Sequence, residues 1–449
     1  MEKLENLNLK RQLRKLVVPL FIEVALVMML GAIDTVMLSQ FSDQSVAAVG
    51  FDNQLISFIF LIYQFFSMGA GILCAQYLGA CQKKRMVQVV GIALILNLLV
   101  GLGVSALLFL KAEDILVMMG LQPELLPEAN IYLKITGALS FVQALTFTFS
   151  ASLRSADRVV APMVVTAIAN VINIVGNYVL IFGKFGCPQM GVEGAAIATA
   201  ISRVIALIII AAIHFKTHIK RFPLQWFRPF PWSELKNLLH IGIPAMSEEI
   251  SYSLSQIVIM LFINQMGAQS LAARTYCWNI LLFVIIFCVA MTQGGNILVG
   301  HLVGAGKNRA AYLMGNYYFK LSLKVTIIFA VILACISQPI MRMLTEDEEI
   351  IRIAFWVFII DCLLEFGRVA NIFACGTLRA AGDAIYPVIV GIIFQWSVAV
   401  GCAYLFGIHW GWGVIGVWCA FTLDENCRSI VLLRRWNSLK WIGKNFAAK

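Results

Sequence analysis

The sequence predicts an all-α polytopic membrane protein: twelve transmembrane helices arranged as two parallel six-helix repeats. Three observations predict it. Of 449 residues, 60% are hydrophobic and 13% are charged, whereas a soluble domain carries about 25% charged residues. Twelve apolar runs are each long enough to cross a hydrocarbon core of about 30 Å at a rise of about 1.5 Å per residue. Residues of the first half recur in the second at a constant offset of 225, which marks an internal duplication.

The spans are read at roughly 16–38, 53–78, 87–110, 131–152, 161–183, 193–214, 238–265, 277–303, 312–338, 351–376, 386–407 and 412–433. Lys10, Arg11, Arg14 and Lys15 before the first run mimic a secretory signal, but the run is too long and has no small-residue cleavage site, so it is read as an uncleaved span. Basic residues gather at the N-terminus and in the even connections: Lys83, Lys84 and Arg85; Arg154 and Arg158; Lys216, Lys220, Arg221, Arg228 and Lys236; Lys307 and Arg309; Arg379; then the tail with Arg434, Arg435, Lys440 and Lys444. The odd connections are acidic or nearly neutral, with Asp43, Glu124, Glu128 and Glu346 to Glu349. This bias places both termini in the cytoplasm of a plasma (inner) membrane protein. It also accounts for the net charge of +10 without a nucleic-acid partner. The eleven cysteines are scattered, most of them inside apolar runs, so neither a disulfide framework nor a metal site is indicated.

The sixth connection, 215–236, is the one long polar connection, and Pro223, Pro229 and Pro231 interrupt it. It is read as a cytoplasmic linker between an N-terminal lobe, 1–214, and a C-terminal lobe, 237–449. Few buried contacts are expected to cross it. The repeat pairs Pro19 and Glu23 with Pro244 and Glu248, Gln44 to Ala48 with Gln269 to Ala273, Gly79-Ala80 with Gly304-Ala305, and Leu153-Arg154 and Pro162 with Leu378-Arg379 and Pro387. Six spans per half is an even number, so the repeats run parallel. That is a transporter architecture, with alternating access by rocking of the lobes.

Asp34 stands inside the first span. A carboxylate there costs about 3 kcal/mol on insertion scales, so it faces the protein interior or a wet cavity and is a functional candidate by default. The alternative is a carboxyl satisfied by neighbouring hydroxyls or amides.

The repeated pattern small-x-Leu-Arg, a short turn, then Pro stands as Ala151-Ser152-Leu153-Arg154 with Pro162 and as Gly376-Thr377-Leu378-Arg379 with Pro387. Together with the Gly79-Ala80 turn, Asn173-x-x-x-Asn177-Tyr178, Ile181-Phe182-Gly183 and Gly191-x-x-Gly194-Ala195-Ala196-Ile197-Ala198-Thr199, it resembles the multidrug and toxic compound extrusion (MATE) family from the first span to the last. The resemblance implies a twelve-helix antiporter that expels cationic or amphipathic small molecules in exchange for protons or sodium ions. It implies a coupling site of Asp34, Asn173, Asn177 and Thr199 in the N-terminal lobe. Depth allows this: Asp34, Asn177 and Thr199 all lie within about 10 Å of the outer surface, and Asn173 and Asn177 share a helix face. Interhelical hydrogen bonding is the alternative role of the asparagines, and packing that of Thr199. Many relatives carry an aspartate where this chain has Asn177. A single carboxylate favours protons over sodium, which prefers several oxygens and more negative charge. The second half has Ile259 at the position equivalent to Asp34. Gly31 is where the first helix is expected to bend when the carboxyl takes a proton.

The second lobe carries its own charges: Glu248 and Glu249 in span seven, Asp361, Glu365 and Arg368 in span ten, Asp424, Glu425 and Arg428 in span twelve. They are read either as a structural network of opposite charges or as a cation-attracting wall for substrate. Arg203 in span six is the expected partner of Glu23. Arg154 and Arg379 are expected to anchor helix ends. No P-loop and no nucleophile–base set is present, so neither an ATP-driven pump nor an enzyme is indicated, and no cofactor is expected. A lipid-linked oligosaccharide flippase of the same superfamily is the alternative function, but the cavity-depth charges are mostly acidic, which favours cationic cargo. A channel is disfavoured, because two lobes give no central ring of equivalent polar groups. The chain is expected to act as a monomer among membrane lipids. Methionines and aromatics suit a promiscuous cavity. The topology can be checked by labelling: cysteines introduced at Ser42 and Glu346 should react from outside the cell, and one at Lys220 only after permeabilisation.

Overall fold

The computed structural model describes residues 2–220 and 222–448; Arg221, one of the basic residues of the sixth connection, lies outside the described residues. Apolar stretches of this length have one way to satisfy their backbone in lipid, which is to form helices. In chain order these are α1 (Glu2–Ser39), α2 (Asp43–Gly79), α3 (Lys83–Met118), α4 (Leu126–Ala138), α5 (Ser140–Ser155), α6 (Val160–Phe182), α7 (Gly191–Thr217), α8 (Trp232–Gln265), α9 (Ala268–Gly304), α10 (Asn308–Cys335), α11 (Ser337–Arg342), α12 (Glu348–Ala380), α13 (Ile385–Phe394) and α14 (Gly413–Asn437). Beyond Phe394 the helix of α13 widens to π geometry and runs on to His409.

Eight of these helices are long and apolar enough to cross a membrane by themselves, and α4 with α5 forms a ninth span bent by 45°. The expected straight fourth span is therefore broken, at Leu139. The remaining three spans are α8, α12 and α14, which are as long but carry the charges of the second lobe. The second span starts at Asp43, ten residues before the expected 53, because the helix extends through polar residues at its N-terminal end. Asp52 consequently lies inside a helix.

By packing, the chain divides into one unit of residues 18–242 and a second of residues 1–17 with 243–449. The divisions fall within α1 and α8, at Val17 and Gly242, which are themselves 225 apart, each two residues before a helix proline, Pro19 or Pro244.

The unit 18–242 has an apolar core of Leu38, Ile56, Leu108, Leu133 and Ala195. A polar knot joins α2, α3 and α5: Asn97 Nδ2 donates to Ser67 Oγ at 3.0 Å and Thr148 Oγ1 at 2.6 Å, and the hydroxyls of Tyr63 and Ser140 lie 2.8 Å apart. Such bonds hold apolar bundles together where lipid offers no alternative partner.

The sixth connection belongs to this unit and is packed on it, contrary to expectation. Glu234 is buried, taking 2.6 Å from Arg85 Nε and 2.5 Å from the Tyr77 hydroxyl. Gln88 Nε2 donates to the carbonyl of Trp226. A side chain on Gly91 would collide with Phe227 at 2.5 Å. The reason is the aromatic residues Phe222, Trp226 and Phe227 among the basic ones, which a count of charges and prolines overlooks.

The other unit has its core at Ile259, Ile263, Leu281, Phe358 and Trp418. Its last segment folds back in the same manner: the Trp436 and Trp441 rings stack at 4.7 Å, Asn445 Nδ2 donates to the Val303 carbonyl at 3.1 Å, and Asp383 holds Arg435 at 2.9 Å and Lys444 at 2.7 Å. Each unit thus covers the turn between its second and third spans with the segment that follows its sixth span.

Glu234→Ala should cost about 3 kcal/mol of stability, because it strands a partly buried arginine. Thermal unfolding of the detergent-solubilised protein measures this. Wild-type stability of the variant would show the contact to be superficial.

Candidate functional site

The C-terminal part of α1 presents Asp34, half-buried, to α6. Two features of the sequence bring α6, α7 and α1 this close. Gly194 on α7 lies against the backbone of Leu180 on α6, where a Cβ would be 2.7 Å from the carbonyl carbon; small residues let helix backbones approach in apolar surroundings. Asn170 on α6 donates from Nδ2 to the carbonyl of Leu26 at 2.8 Å, which fastens α1.

The four candidate residues then meet. Asn177 Nδ2 donates to Asp34 Oδ1 at 2.7 Å and to Asn173 Oδ1 at 3.1 Å. Asn173 Nδ2 donates to Thr199 Oγ1 at 3.1 Å. The result is one hydrogen-bonded chain over three helices, with both asparagines buried and Asp34 open on one side. The orientation of the Asn177 amide follows from its partners. Turning it would set its oxygen against two acceptors, Asp34 Oδ1 and Asn173 Oδ1. Its own Oδ1 is buried without a hydrogen-bond partner.

Two groups near this chain escape a reading of the sequence. Tyr132, buried on α4, lies within the electrostatic reach of Arg203, Asp34 and Asp52. Asp52 is 0% exposed on α2, and neither of its carboxylate oxygens has a hydrogen-bond partner. A period-based reading placed Asp52 outside the second span; extending the helix back to Asp43 is the signal that reveals it.

Arg203 does not pair with Glu23. Its guanidinium lies over the Phe60 ring at 5.2 Å, in the field of Asp34. Glu23 stands eleven residues before Asp34, about 16 Å along the helix, so one arginine cannot serve both. Arg154 takes Glu23 instead, with Nη2 2.5 Å from Oε1. The repeat-related pair, Arg379 and Glu248, is formed as well.

In the second lobe, Glu249 is exposed beside Glu248. The other charges gather between α12 and α14. Arg368 pairs with Glu365 and stands 3.6 Å from Asp361, which also accepts from Trp418 Nε1 at 3.4 Å. Arg428 holds Asp424 at 3.1 Å and Glu425 at 2.8 Å, and Asn371 Nδ2 bridges to Glu425 at 2.9 Å.

The family model called MatE matches residues 19–179 and 244–405, two stretches that begin 225 residues apart. The chain belongs to the MATE family of transporters. It is 41% identical over 431 residues to the "Uncharacterized transporter YisQ" of Bacillus subtilis (strain 168), covering 96% of this chain and 94% of that protein. It is 29% identical over 437 residues to the "Probable multidrug resistance protein NorM" of Thermotoga maritima, covering 97% and 93%. Among solved structures, the Vibrio cholerae MATE transporter VcmN aligns with a TM-score of 0.87 at 18% identity, over 96% of this chain and 97% of that one. A MATE transporter is thus the frame in which the Asp34 chain sits: a carboxylate reachable from one side and tied by amides to two neighbouring helices.

Proposed function

We propose that this MATE protein is a multidrug antiporter of the plasma membrane. It exports cationic or amphipathic small molecules in exchange for protons, acting as a monomer with both termini cytoplasmic, and couples the two fluxes at Asp34. The observation that carries this reading is the hydrogen-bonded chain from Asp34 through Asn177 and Asn173 to Thr199. It contains one carboxylate, and an amide nitrogen faces it. A sodium ion asks for several oxygens around it with more negative charge, and here the amide oxygen of Asn173 and the hydroxyl of Thr199 each already accept one hydrogen bond and bring no charge. Asn177 Oδ1 remains for a cation, so sodium is the weaker reading.

Protonation of Asp34 removes a charge from a helix that must otherwise keep it wet. α1 is then free to bend at Gly31, where a Cβ would meet nothing within 4 Å. A cationic cargo favours the ionised carboxylate, and a proton removes it. Each therefore lowers the affinity for the other, which is the linkage that antiport requires. Cationic rather than anionic cargo also suits the second lobe, where four carboxylates, Asp361, Glu365, Asp424 and Glu425, share two arginines. The multidrug assignment draws on relatives named as probable multidrug resistance proteins.

Asp34→Asn is expected to fold, reach the membrane and lose efflux of ethidium from everted vesicles. Asn177→Asp is expected to shift the driving ion toward sodium. The decisive condition is an imposed proton gradient without sodium. Normal pumping by Asp34→Asn, or no pumping by wild type until sodium is added, overturns the proposal.

A further inference from the structure

We propose that Asp52 is a second proton carrier of the unit 18–242, connected to the Asp34 chain through Tyr132. This deepens the proton-coupled reading and rests on it for its role in transport, but the exchange of a proton at Asp52 can be observed without transport.

Asp52 is 0% exposed, and both of its oxygens lack a hydrogen-bond partner. An ionised carboxylate with neither a counter-ion nor a donor costs several kilocalories per mole in apolar surroundings, so a group so placed is neutral. Among the described residues no cation forms a salt bridge with Asp52, although α4 also carries Lys134 and Glu128, one of whose oxygens is buried without a partner, and α7 carries Glu193. Lys111 of α3 pairs with Asp114 at 2.8 Å, Arg154 of α5 is held by Glu23, and Arg203 of α7 lies over Phe60. The charge of Asp52 acts through space on Tyr132 of α4, whose hydroxyl stands 3.5 Å from Oδ1 of Asn53 on the same helix as Asp52. Tyr132 lies in turn in the field of Asp34.

The duplication supplies an independent observation. At the offset of 225, Asp34, Asp52 and Tyr132 correspond to Ile259, Cys277 and Val357. All three of those are 0% exposed members of one hydrophobic cluster in the other unit. The helix frame therefore packs well with apolar groups at these positions, and it does not require a carboxylate at 52. A carboxyl that the frame does not need, that has no partner, and whose charge bears on the same tyrosine as that of Asp34 is suited to binding and releasing a proton. The chemistry is one O–H bond made and one broken. Asp52 takes a proton of its own from water, in addition to the one taken by Asp34, and gives it back to water on the cytoplasmic side when the surroundings open and the carboxylate can be solvated; Tyr132 couples the two charges without carrying a proton between them.

The test is infrared difference spectroscopy of the purified protein in lipid as pH is cycled, on wild type, Asp34→Asn and Asp52→Asn. The carbonyl stretch of a protonated carboxyl should change with pH in wild type and in Asp34→Asn, with one such component missing in Asp52→Asn. In proteoliposomes, Asp52→Asn should still move ethidium. The ethidium ratio sustained by a pH difference of one unit should fall about tenfold, the contribution of one coupled proton. Asp52→Cys, which copies the residue of the other lobe, should behave alike and guards against a folding defect of the amide. A pH-independent Asp52 band, or an undiminished ethidium ratio in both variants, overturns the proposal. Absence of proton-driven efflux in wild type would instead count against the coupling at Asp34 and leave the infrared result to decide on Asp52.

Discussion

In each lobe a carboxylate on the first span pairs with an arginine at the C-terminal end of the fourth: Glu23 with Arg154, Glu248 with Arg379. The remainder of the lobe depends on this pair. The first span carries a proline two residues past the point where the chain changes packing unit, so its backbone hydrogen bonding is interrupted there. A charge pair a turn further on compensates by fixing the span to a neighbour. Removing one partner would leave the other buried without a counter-charge, the costly case for buried ion pairs. That both copies of the duplication keep the two residues, their spacing and their contact is explained by mechanics common to both lobes rather than by the chemistry of either.

The lobes differ where the frame makes no demand. Around the C-terminal part of the first span, one lobe has the Asp34 chain and the other an apolar cluster built on Ile259. Between the tenth and twelfth spans, the second lobe has its own network of carboxylates and arginines. On the proposed reading, coupling and cargo attraction are divided between the two. The same offset that proves the duplication makes the divergence visible, since an exchange of Asp34 for Ile259 cannot be a packing requirement of a shared fold.

Most of the fold was legible because lipid leaves the backbone little choice, so apolar length translates directly into helices. The limits of that reading are physical too. Span edges are set by where polar residues stop continuing a helix, and Asp43 to Asn53 continue it, which hid Asp52. The bend at Leu139 has no proline to announce it. The aromatic residues Trp226 and Phe227 stand among the prolines and basic residues of the sixth connection, and their role lies in contacts with Gln88 and Gly91 that are remote in sequence. For the candidate site, resemblance and depth brought Asp34, Asn173, Asn177 and Thr199 forward, while the identity of Glu23's partner needed three dimensions: Arg203 and Arg154 are both arginines near helices that could face it, and only the 16 Å or so between Glu23 and Asp34 along α1 separates their roles.

The buried carboxylates sort into two classes by their surroundings. Glu23, Glu234, Glu248, Asp361, Glu365, Asp383, Asp424 and Glu425 each have a cation within salt-bridge distance. Protonating Glu23, Glu234 or Glu248 would take from Arg154, Arg85 or Arg379 its salt-bridge carboxylate, whereas Arg368 and Arg428 each keep a second one. Asp34 is bound by an amide, and Asp52 by nothing among the described residues. Neutralising either of these two breaks no salt bridge among the described residues, though Arg203 lies in the field of Asp34. In a membrane, where each unpaired charge is expensive, a protein that must change the charge of a helix during its cycle can do so only at groups whose charge no neighbour requires. In this chain those groups, Asp34 and Asp52, belong to one packing unit, 18–242.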